Sequence, residues 1–356
     1  MTILYHYLIF FASGLICTLI FNRLLINFSA SLGIRNKNDI TVRWSNQSKP
    51  SLGGISLFLG FLGFVILYLF LNPSINLFSQ VDFTGLFIAA SLAFMMGLCD
   101  DAYNTRPLIK LSIQICCGLI FSYTGSMIEI TAYPLLNIII TTLWVVLLMN
   151  SLNLLDNMDG ITGITTIFIL IACFSLNLLL GIDSNQLWNV MLLSVIGSLI
   201  GFLVFNVPPA KLFMGDSGSQ YLGLIVAFFS IKFIFGAGSI ANAIPLWQVI
   251  LGLIVCCSAP LIDTFTVIFN RLKRKSSPFI GGKDHTTHHL VYKGYSEKKV
   301  FYCFTLIGLI SALLTFLLFW QARSTMNWFS FAAIAWFLFA FYFLYKNTLI
   351  KSQKNK

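Results

Sequence analysis

Charge is scarce in this sequence. Of its 356 residues 10% are charged and 58% are hydrophobic, whereas soluble domains carry about 25% charged residues. A water-soluble core cannot absorb that much apolar material, so a soluble globular fold is excluded. No Pro-, Ser- or charge-rich linker divides the chain, which removes the case for two domains that length alone would make. A single domain over residues 1–356 is the expectation. The first apolar stretch has neither a basic segment before it nor a small-residue cleavage site after it, so it is read as a retained span. Cysteine is present but lacks the pair spacing of ligands. Cys17, Cys99, Cys116, Cys117, Cys173, Cys256, Cys257 and Cys303 lie in apolar context or at span ends, which favours filler over zinc or disulfides.

What is abundant is apolar length. A membrane-crossing helix needs about 20 mostly apolar residues. Such runs recur near 3–22, 52–71, 83–99, 108–124, 133–152, 161–180, 187–205, 218–235, 246–269, 300–320 and 327–345. The expected fold class is all-α, a polytopic membrane helical bundle of about eleven transmembrane helices. Lys and Arg set its orientation, because cytoplasmic loops retain them during insertion. With the N-terminus outside, Arg23, Arg35, Lys37, Arg43, Lys49, Arg106, Lys110, Lys211, the eight basic residues from Arg271 to Lys299, and Lys346, Lys351, Lys354 and Lys356 fall inside, 20 of the 22. Lys232 and Arg323 fall outside. The net charge of +10 is then mostly a topology signal, with attraction to anionic lipid headgroups as a second contribution. Nucleic-acid binding is not needed to explain it.

Acidic residues number only twelve. Nine lie on the expected inner side: Asp39, Asp100, Asp101, Asp156, Asp159, Asp216, Asp263, Asp284 and Glu297. Asp82, Glu129 and Asp183 are the outer remainder. Several inner carboxylates abut apolar helices, where burial is costly, and they fall into motifs. GLCDD ends at Asp100 and Asp101; adjacent helical residues point about 100° apart, so one carboxylate can face a metal or nucleophile while the other is held from behind, or the pair simply ends a helix in water. NSLNLLDNMDGITG, Asn150 to Gly163, places Asn153, Asp156 and Asp159 three apart on one expected helical face. Oxygen ligands so spaced suit Mg²⁺ bridging a phosphate; the alternative is a polar loop with an Asp-Gly turn. NVPPAKLFMGDSGSQYLG, Asn206 to Gly223, opens a helix at Asp216, where free N–H groups favour a phosphate or a capping carboxylate. Asp216 as a plain N-cap competes with that. Phe213 offers a ring for a base or simply packs.

The longest polar stretch runs over residues 270–299 and carries His285, His288 and His289. With no cysteine nearby, phosphate binding beside Lys283 is favoured over zinc, and Arg271, Lys273, Arg274 and Lys275 read mainly as a membrane-surface anchor. Together these loops propose a Mg²⁺-dependent reaction on a phosphorylated, headgroup-like substrate at the inner membrane surface.

In order along the chain, KPSLGG at Lys49–Gly54, the Asp pair, NLLDNMDG, NVPPAKLFMGDSGS and the histidine loop resemble the polyprenyl-phosphate N-acetylhexosamine-1-phosphate transferases. That superfamily includes the peptidoglycan phospho-muramoyl-pentapeptide translocase and the enzymes that initiate O-antigen, enterobacterial common antigen and teichoic acid synthesis. SPF at Ser277–Phe279 brings the histidine loop closer to the O-antigen branch. The resemblance implies that undecaprenyl phosphate attacks the sugar-linked phosphate of a UDP-N-acetylhexosamine and releases UMP. It implies Mg²⁺, with Mn²⁺ as a substitute, and a bacterial inner-membrane location with the site facing the cytoplasm; a homodimer is left open. Carried over by motif, Asp216 and Asn153 contact the metal with Asp156 beside them. Asp159, Asn206 and Phe213 hold or stack on the uracil. Asp100, with Asp101 adjacent, serves the lipid phosphate as base or positioner, and Lys49, Lys283, His285 and His288 bind diphosphate or sugar. Two positions depart from the family: Asn104 stands where a further Asp is frequent, and Thr287 stands at the middle of a His-x-His-His pattern.

An ion-coupled transporter is the chief competing class, although transporters place essential carboxylates near the bilayer midplane on broken helices. A membrane scaffold is a third reading that gives no reason for the motifs. Asp263 in PLIDTF has no role by sequence.

Overall fold

The computed structural model describes residues 3–28, 49–182, 186–240, 244–277, 282–321 and 328–349. Arg35, Lys37, Asp39, Arg43, Asp183, Phe279, Arg323, Lys351, Lys354 and Lys356, which figured in the charge pattern or the motifs, lie outside the described residues. Among those described there is helix and turn but no strand. The helices are α1 (Ile3–Phe28), α2 (Gly53–Leu71), α3 (Val81–Tyr103), α4 (Pro107–Tyr123), α5 (Pro134–Leu155), α6 (Ile161–Leu180), α7 (Leu187–Asn206) and α8 (Gly215–Phe229). A π-turn at Ser230–Phe235 leads from α8 into the short α9 (Gly236–Ile240), followed by α10 (Leu246–Cys256), α11 (Ser258–Lys273), α12 (Thr286–Tyr292), α13 (Glu297–Trp320) and α14 (Trp328–Thr348). Nine helical stretches among the described residues are long and apolar enough to cross a membrane. The expected polytopic helical bundle is what forms.

Its lateral organisation follows from how apolar each helix is all round. α7 and α8 are buried nearly throughout, while α1 and α14 are about as apolar but largely open. A helix apolar on an open face belongs in lipid, and Ile16, Ile20, Phe331, Leu338 and Phe339 are among the large side chains so exposed. α8 is the hub, packed by α2, α3, α5 and α6. α1 lies along α7 at a contact made of small residues: a Cβ added at Gly197 would sit 2.2 Å from the Phe11 carbonyl oxygen, and one at Gly14 2.0 Å from that of Ser194. Without a hydrophobic driving force between helices in lipid, such backbone proximity is what holds a pair together.

Two of the expected spans differ from simple rods. The run near 246–269 is not one helix: α10 and α11 meet at Cys257 with a 79° bend. Pro260 explains the break, because it has no N–H to give and its ring clashes with the carbonyl four residues earlier, whereas it is tolerated in the first turn of a new helix. α4 is only 17 residues long. It begins with Pro107 at its first position, the place where a missing N–H costs nothing.

The small-residue contact is testable. Gly197→Val should weaken the α1–α7 pair by roughly 1–3 kcal/mol, the usual cost of overpacking, and lower the unfolding temperature in detergent; an unchanged transition would show that the helices can part without loss.

Candidate active site

α3 ends at Tyr103, with Asn104 in the left-handed conformation (φ 50°) as its C-terminal cap, a role Asn takes more readily than other non-glycine residues. Asn104 is solvent-exposed, so the position that departs from the family here serves to stop a helix. The stop leaves Asp100 and Asp101 in the last turn, and the two carboxylates have separate tasks. Asp101 accepts the backbone N–H groups of Asp216 and Ser217, both at 3.0 Å. It therefore caps α8, and the capping carboxylate left open by sequence is Asp101 rather than Asp216 itself. Gly215, with φ +79°, turns the chain into that cap, and a Cβ there would meet the Asp101 carboxylate at 2.7 Å. Asp100 is 3% exposed and accepts Thr105 N–H at 2.7 Å and the Thr105 hydroxyl at 2.8 Å. It also forms an ion pair with Lys110 of α4.

Lys110 lies 3.6 Å from the Asp216 carboxylate as well, so one ammonium links α3, α4 and α8. Asp216 is held from the other side by the Asn153 amide at 2.9 Å, which also donates to the Ser219 hydroxyl at 2.9 Å. Sequence reasoning counted Lys110 only toward topology. The signal that singles it out is that it is the one charged residue in the otherwise apolar α4.

The Asn153–Asp156–Asp159 motif does not continue as one helical face. α5 stops at Leu155 with Asp156 as its cap residue, and the chain turns through Asp159 and Gly160, whose φ is +77°. The turn wins over the helix because its polar groups find better partners outside. Gly160 donates its N–H to Asn206 at 2.9 Å, Asn206 donates to the Leu212 carbonyl at 2.8 Å, and Asp159 accepts Ala210 N–H at 2.8 Å. The turn is thereby stitched to the 207–214 loop. That loop is also paired to the KPSLGG segment: Phe213 N–H to the Pro50 carbonyl and Gly53 N–H to the Phe213 carbonyl, each at 2.9 Å. The pairing brings the Lys49 ammonium to 5.4 Å from the centre of the half-buried Phe213 ring.

The histidine loop docks on the same turn. Thr287 donates its hydroxyl to the Asn157 side-chain oxygen, and His288 Nε2 lies 3.4 Å from the Asn157 carbonyl oxygen. His285 and His288 are buried, their rings edge-on at 5.4 Å; Lys283 is exposed. Asp263 is engaged here: its Oδ2 is 2.8 Å from His285 Nδ1. Arg271 corrects the reading of its basic run as a surface anchor. It is 4% exposed and makes a two-pronged contact with Asp284, at 2.7 and 3.1 Å, because a guanidinium at the end of an apolar helix is retained there only when its charge is matched. Arg274, which is exposed, adds a third bond to Asp284 at 2.9 Å.

The electrostatics of the turn disfavour ionisation of its carboxyls. Loss of water, and next the charge of Asp216, push the Asp156 carboxyl up to about 8. Burial also raises Asp159, against the opposing pull of Ala210 N–H and Lys49. In the histidine loop, burial and then the neighbouring His285 hold His288 down at about 3, so its ring is neutral at physiological pH. Desolvation works against ionisation of Asp284, but the Arg271 contacts outweigh it and hold that carboxyl below its usual range.

Among the described residues no three His, Cys, Asp or Glu side chains form a cage that would enclose a cation by themselves. Mg²⁺, however, is ordinarily bound through one or two carboxylates while substrate phosphates complete its shell. Asp216 and Asp156, with the side-chain oxygen of Asn153, supply hard oxygen donors, and these residues fit such an open site.

The sites expected from sequence are thus mostly brought together: Asp100, Asp101, Asn153, Asp156 and Asp216 in one cluster, with Asp159, Asn206, Phe213 and Lys49 along its rim. His288 reaches that rim through Asn157, and His285 lies behind it, edge-on to His288. Lys110, Asn157 and Asp263 are the additions.

Comparison with known proteins identifies the family. A family model described as glycosyl transferase family 4 matches residues 83–234, the segment that contributes Asp100, Lys110, Asn153, Asp156 and Asp216. A phospho-N-acetylmuramoyl-pentapeptide-transferase of Dictyoglomus turgidum is 30% identical over 80% of this chain and 89% of its own. A probable undecaprenyl-phosphate N-acetylglucosaminyl 1-phosphate transferase of Bacillus subtilis is 26% identical over 74% of this chain and 72% of its own. A decaprenyl-phosphate N-acetylglucosaminephosphotransferase of Mycobacterium leprae is 27% identical over 89% and 82%. With the five motifs in order and assembled at one end of the bundle, the chain belongs to the polyprenyl-phosphate N-acetylhexosamine-1-phosphate transferase family.

Proposed function

We propose that the protein transfers N-acetylhexosamine-1-phosphate from a UDP-sugar to undecaprenyl phosphate at the cytoplasmic surface of the bacterial inner membrane. UMP is released, and the lipid-diphosphate sugar that remains starts a cell-surface polysaccharide. N-acetylglucosamine is the favoured sugar because the Bacillus and Mycobacterium relatives carry it in their names. The observation that carries this reading is the cluster of Asp100, Lys110, Asp216, Asn153 and Asp156, drawn from four helices to one end of the bundle. A transporter would place such carboxylates mid-membrane on broken helices; these sit at helix ends, and the relatives are transferases.

An oxygen of the lipid phosphate attacks the sugar-linked phosphorus. That P–O bond forms as the anhydride bond to the uridine-bearing phosphate breaks, and UMP leaves with the electron pair. A phosphate monoester has a second pKa of about 6 and is already mostly ionised at neutral pH, so the attacking oxygen needs positioning more than deprotonation. Asp100, buried and fully engaged with Thr105 and Lys110, is suited to fixing that lysine where a phosphate can reach it. Phe213 and Asp159 form the wall for the uracil with Lys49 beside them, and Asn206 shapes that wall from behind. Lys283, His285 and His288 take the diphosphate or sugar. Mg²⁺, or Mn²⁺ in its place, held by Asp216, Asp156 and Asn153, would offset the phosphates' negative charge.

Purified protein supplied with Mg²⁺, undecaprenyl phosphate and UDP-N-acetylglucosamine should release UMP. Asp216→Ala or Asp156→Ala should lower the rate by at least about 10²-fold, the scale on which a lost electrostatic contact at a reacting phosphate is felt; Lys110→Met should fall with them. Unchanged turnover in the two aspartate variants would defeat the site assignment. The orientation can be read separately by replacing Lys283, which is exposed where His285 is not, with cysteine in a chain whose exposed Cys99 and Cys116 are serine. Impermeant thiol reagent should label it from the cytoplasmic side only, and labelling from outside would reverse the topology.

The histidine loop should also be acid-sensitive. His288 titrates near 6.5 when unfolded and at about 3 when folded, so the folded state binds fewer protons between those values. Its contribution is complete above about 6.5 and is lost as pH falls toward 3. The hydrogen-exchange protection factors of residues 286–292, taken against the intrinsic rate at each pH, should fall between pH 7.5 and 5.5, and less so in His288→Gln. Equal protection at both pH values would contradict the buried neutral ring.

A further inference from the structure

Asp263 is fully buried in the second turn of α11, and its two oxygens do different things. Oδ1 accepts the Thr286 N–H at 2.8 Å and the Thr286 hydroxyl at 2.6 Å, which closes the N-terminus of α12. Oδ2 faces His285 Nδ1 at 2.8 Å. Capping alone does not require a carboxylate, since Ser, Thr or Asn satisfies a helix N-terminus as well, and a buried charge is costly unless it is used. The feature a neutral cap lacks is a second oxygen that only accepts. An ionised carboxylate opposite Nδ1 obliges that nitrogen to carry the hydrogen, which fixes both the tautomer and the plane of the ring.

α11 grips the histidine loop at a second point eight residues further on, where Arg271 holds Asp284. His285 is therefore clamped on either side by bonds from the same helix, edge-on to His288. We propose that Asp263 is a positioning residue acting through His285: it commits Nδ1 to its own carboxylate and so leaves Nε2 as the atom offered to the diphosphate–sugar part of the substrate. The inference rests on the transferase reading above.

The test is a double-mutant cycle on the full-length protein, following UMP release with UDP-N-acetylglucosamine and undecaprenyl phosphate. Asp263→Asn keeps the size but can present an amide donor to Nδ1 and so reverse the tautomer. It is expected to lower kcat by roughly 10–100-fold, the usual effect of removing a partner that orients a histidine, with little change in KM for the lipid phosphate. Asp263→Glu should restore part of the rate. In a His285→Gln background Asp263→Asn should cost nothing further, because the group it acts through is gone. Thr286→Val, which loosens the cap without touching His285, should lower the unfolding temperature and leave kcat within about twofold. Losses that multiply in the double variant, or an Asp263→Asn defect that tracks its unfolding temperature, would reduce Asp263 to a structural cap and overturn the inference while the transferase reading stands. Wild-type protein that releases no UMP from any UDP-N-acetylhexosamine would remove both.

Discussion

The site depends first on one carboxylate meeting the start of one helix. Asp101 takes the first free N–H groups of α8, which in an apolar bundle have no water to turn to and would each leave a costly unpaired donor. A negative charge at a helix N-terminus is also favoured by the helix dipole. That contact fixes the end of α3 against the beginning of α8, and Asp216, whose own N–H is one of the two donors, can then point only into the space between Asn153 and Lys110. Gly97 allows the approach: a Cβ there would be 2.4 Å from the Asp216 carbonyl oxygen. The geometry of Asp216 is therefore set by backbone, and its neighbours adjust its surroundings.

Two further buried charges, Asp100 and Arg271, each have a counter-ion. Asp100 is buried with Lys110 as its counter-ion; stripping one member of such a pair typically costs about 3–5 kcal/mol because the other is left stranded. Further out, Asn206, Asp159 and Asn157 bind backbone or side chains of neighbouring loops, so three segments distant in sequence behave as one wall. Asn206 and Asn157 do this with neutral amides and Asp159 with a carboxylate.

The helical architecture was legible in the sequence because apolar length is a direct physical requirement of the bilayer, and every expected apolar run is helical in the described residues. What was not legible is what side chains do once two distant loops meet. Spacing placed Asn153, Asp156 and Asp159 on one helix, since the energy that ends α5 early comes from Asn206 and Ala210, some fifty residues away. Arg271 looked like a surface anchor because its partner Asp284 lies across a loop. Lys110 was hidden in a charge count. The break at Cys257 was the one local feature available to reading, through Pro260, and it was masked by the continuous hydrophobicity around it. The motifs themselves carried the site well, because oxygen donors in an apolar chain have few reasons to be there.

Asp101 and Asp263 turn out to be the same device used twice. Each accepts the N–H at the start of another helix, and the helix so anchored carries or adjoins residues of the candidate site: Asp216 on α8, His285 and His288 at α12. In both cases the desolvation of a carboxylate is offset by two or three hydrogen bonds that the apolar surroundings strengthen. The arrangement lets a protein with very little charge fix the candidate-site side chains at helix ends without adding exposed polar side chains to its apolar faces. It also explains why the aspartates divide into two populations. Asp101 and Asp263 bind the backbone of another helix, Asp263 with one oxygen kept for His285, whereas Asp156 and Asp216 are the ones a cation and a phosphorylated substrate would complete.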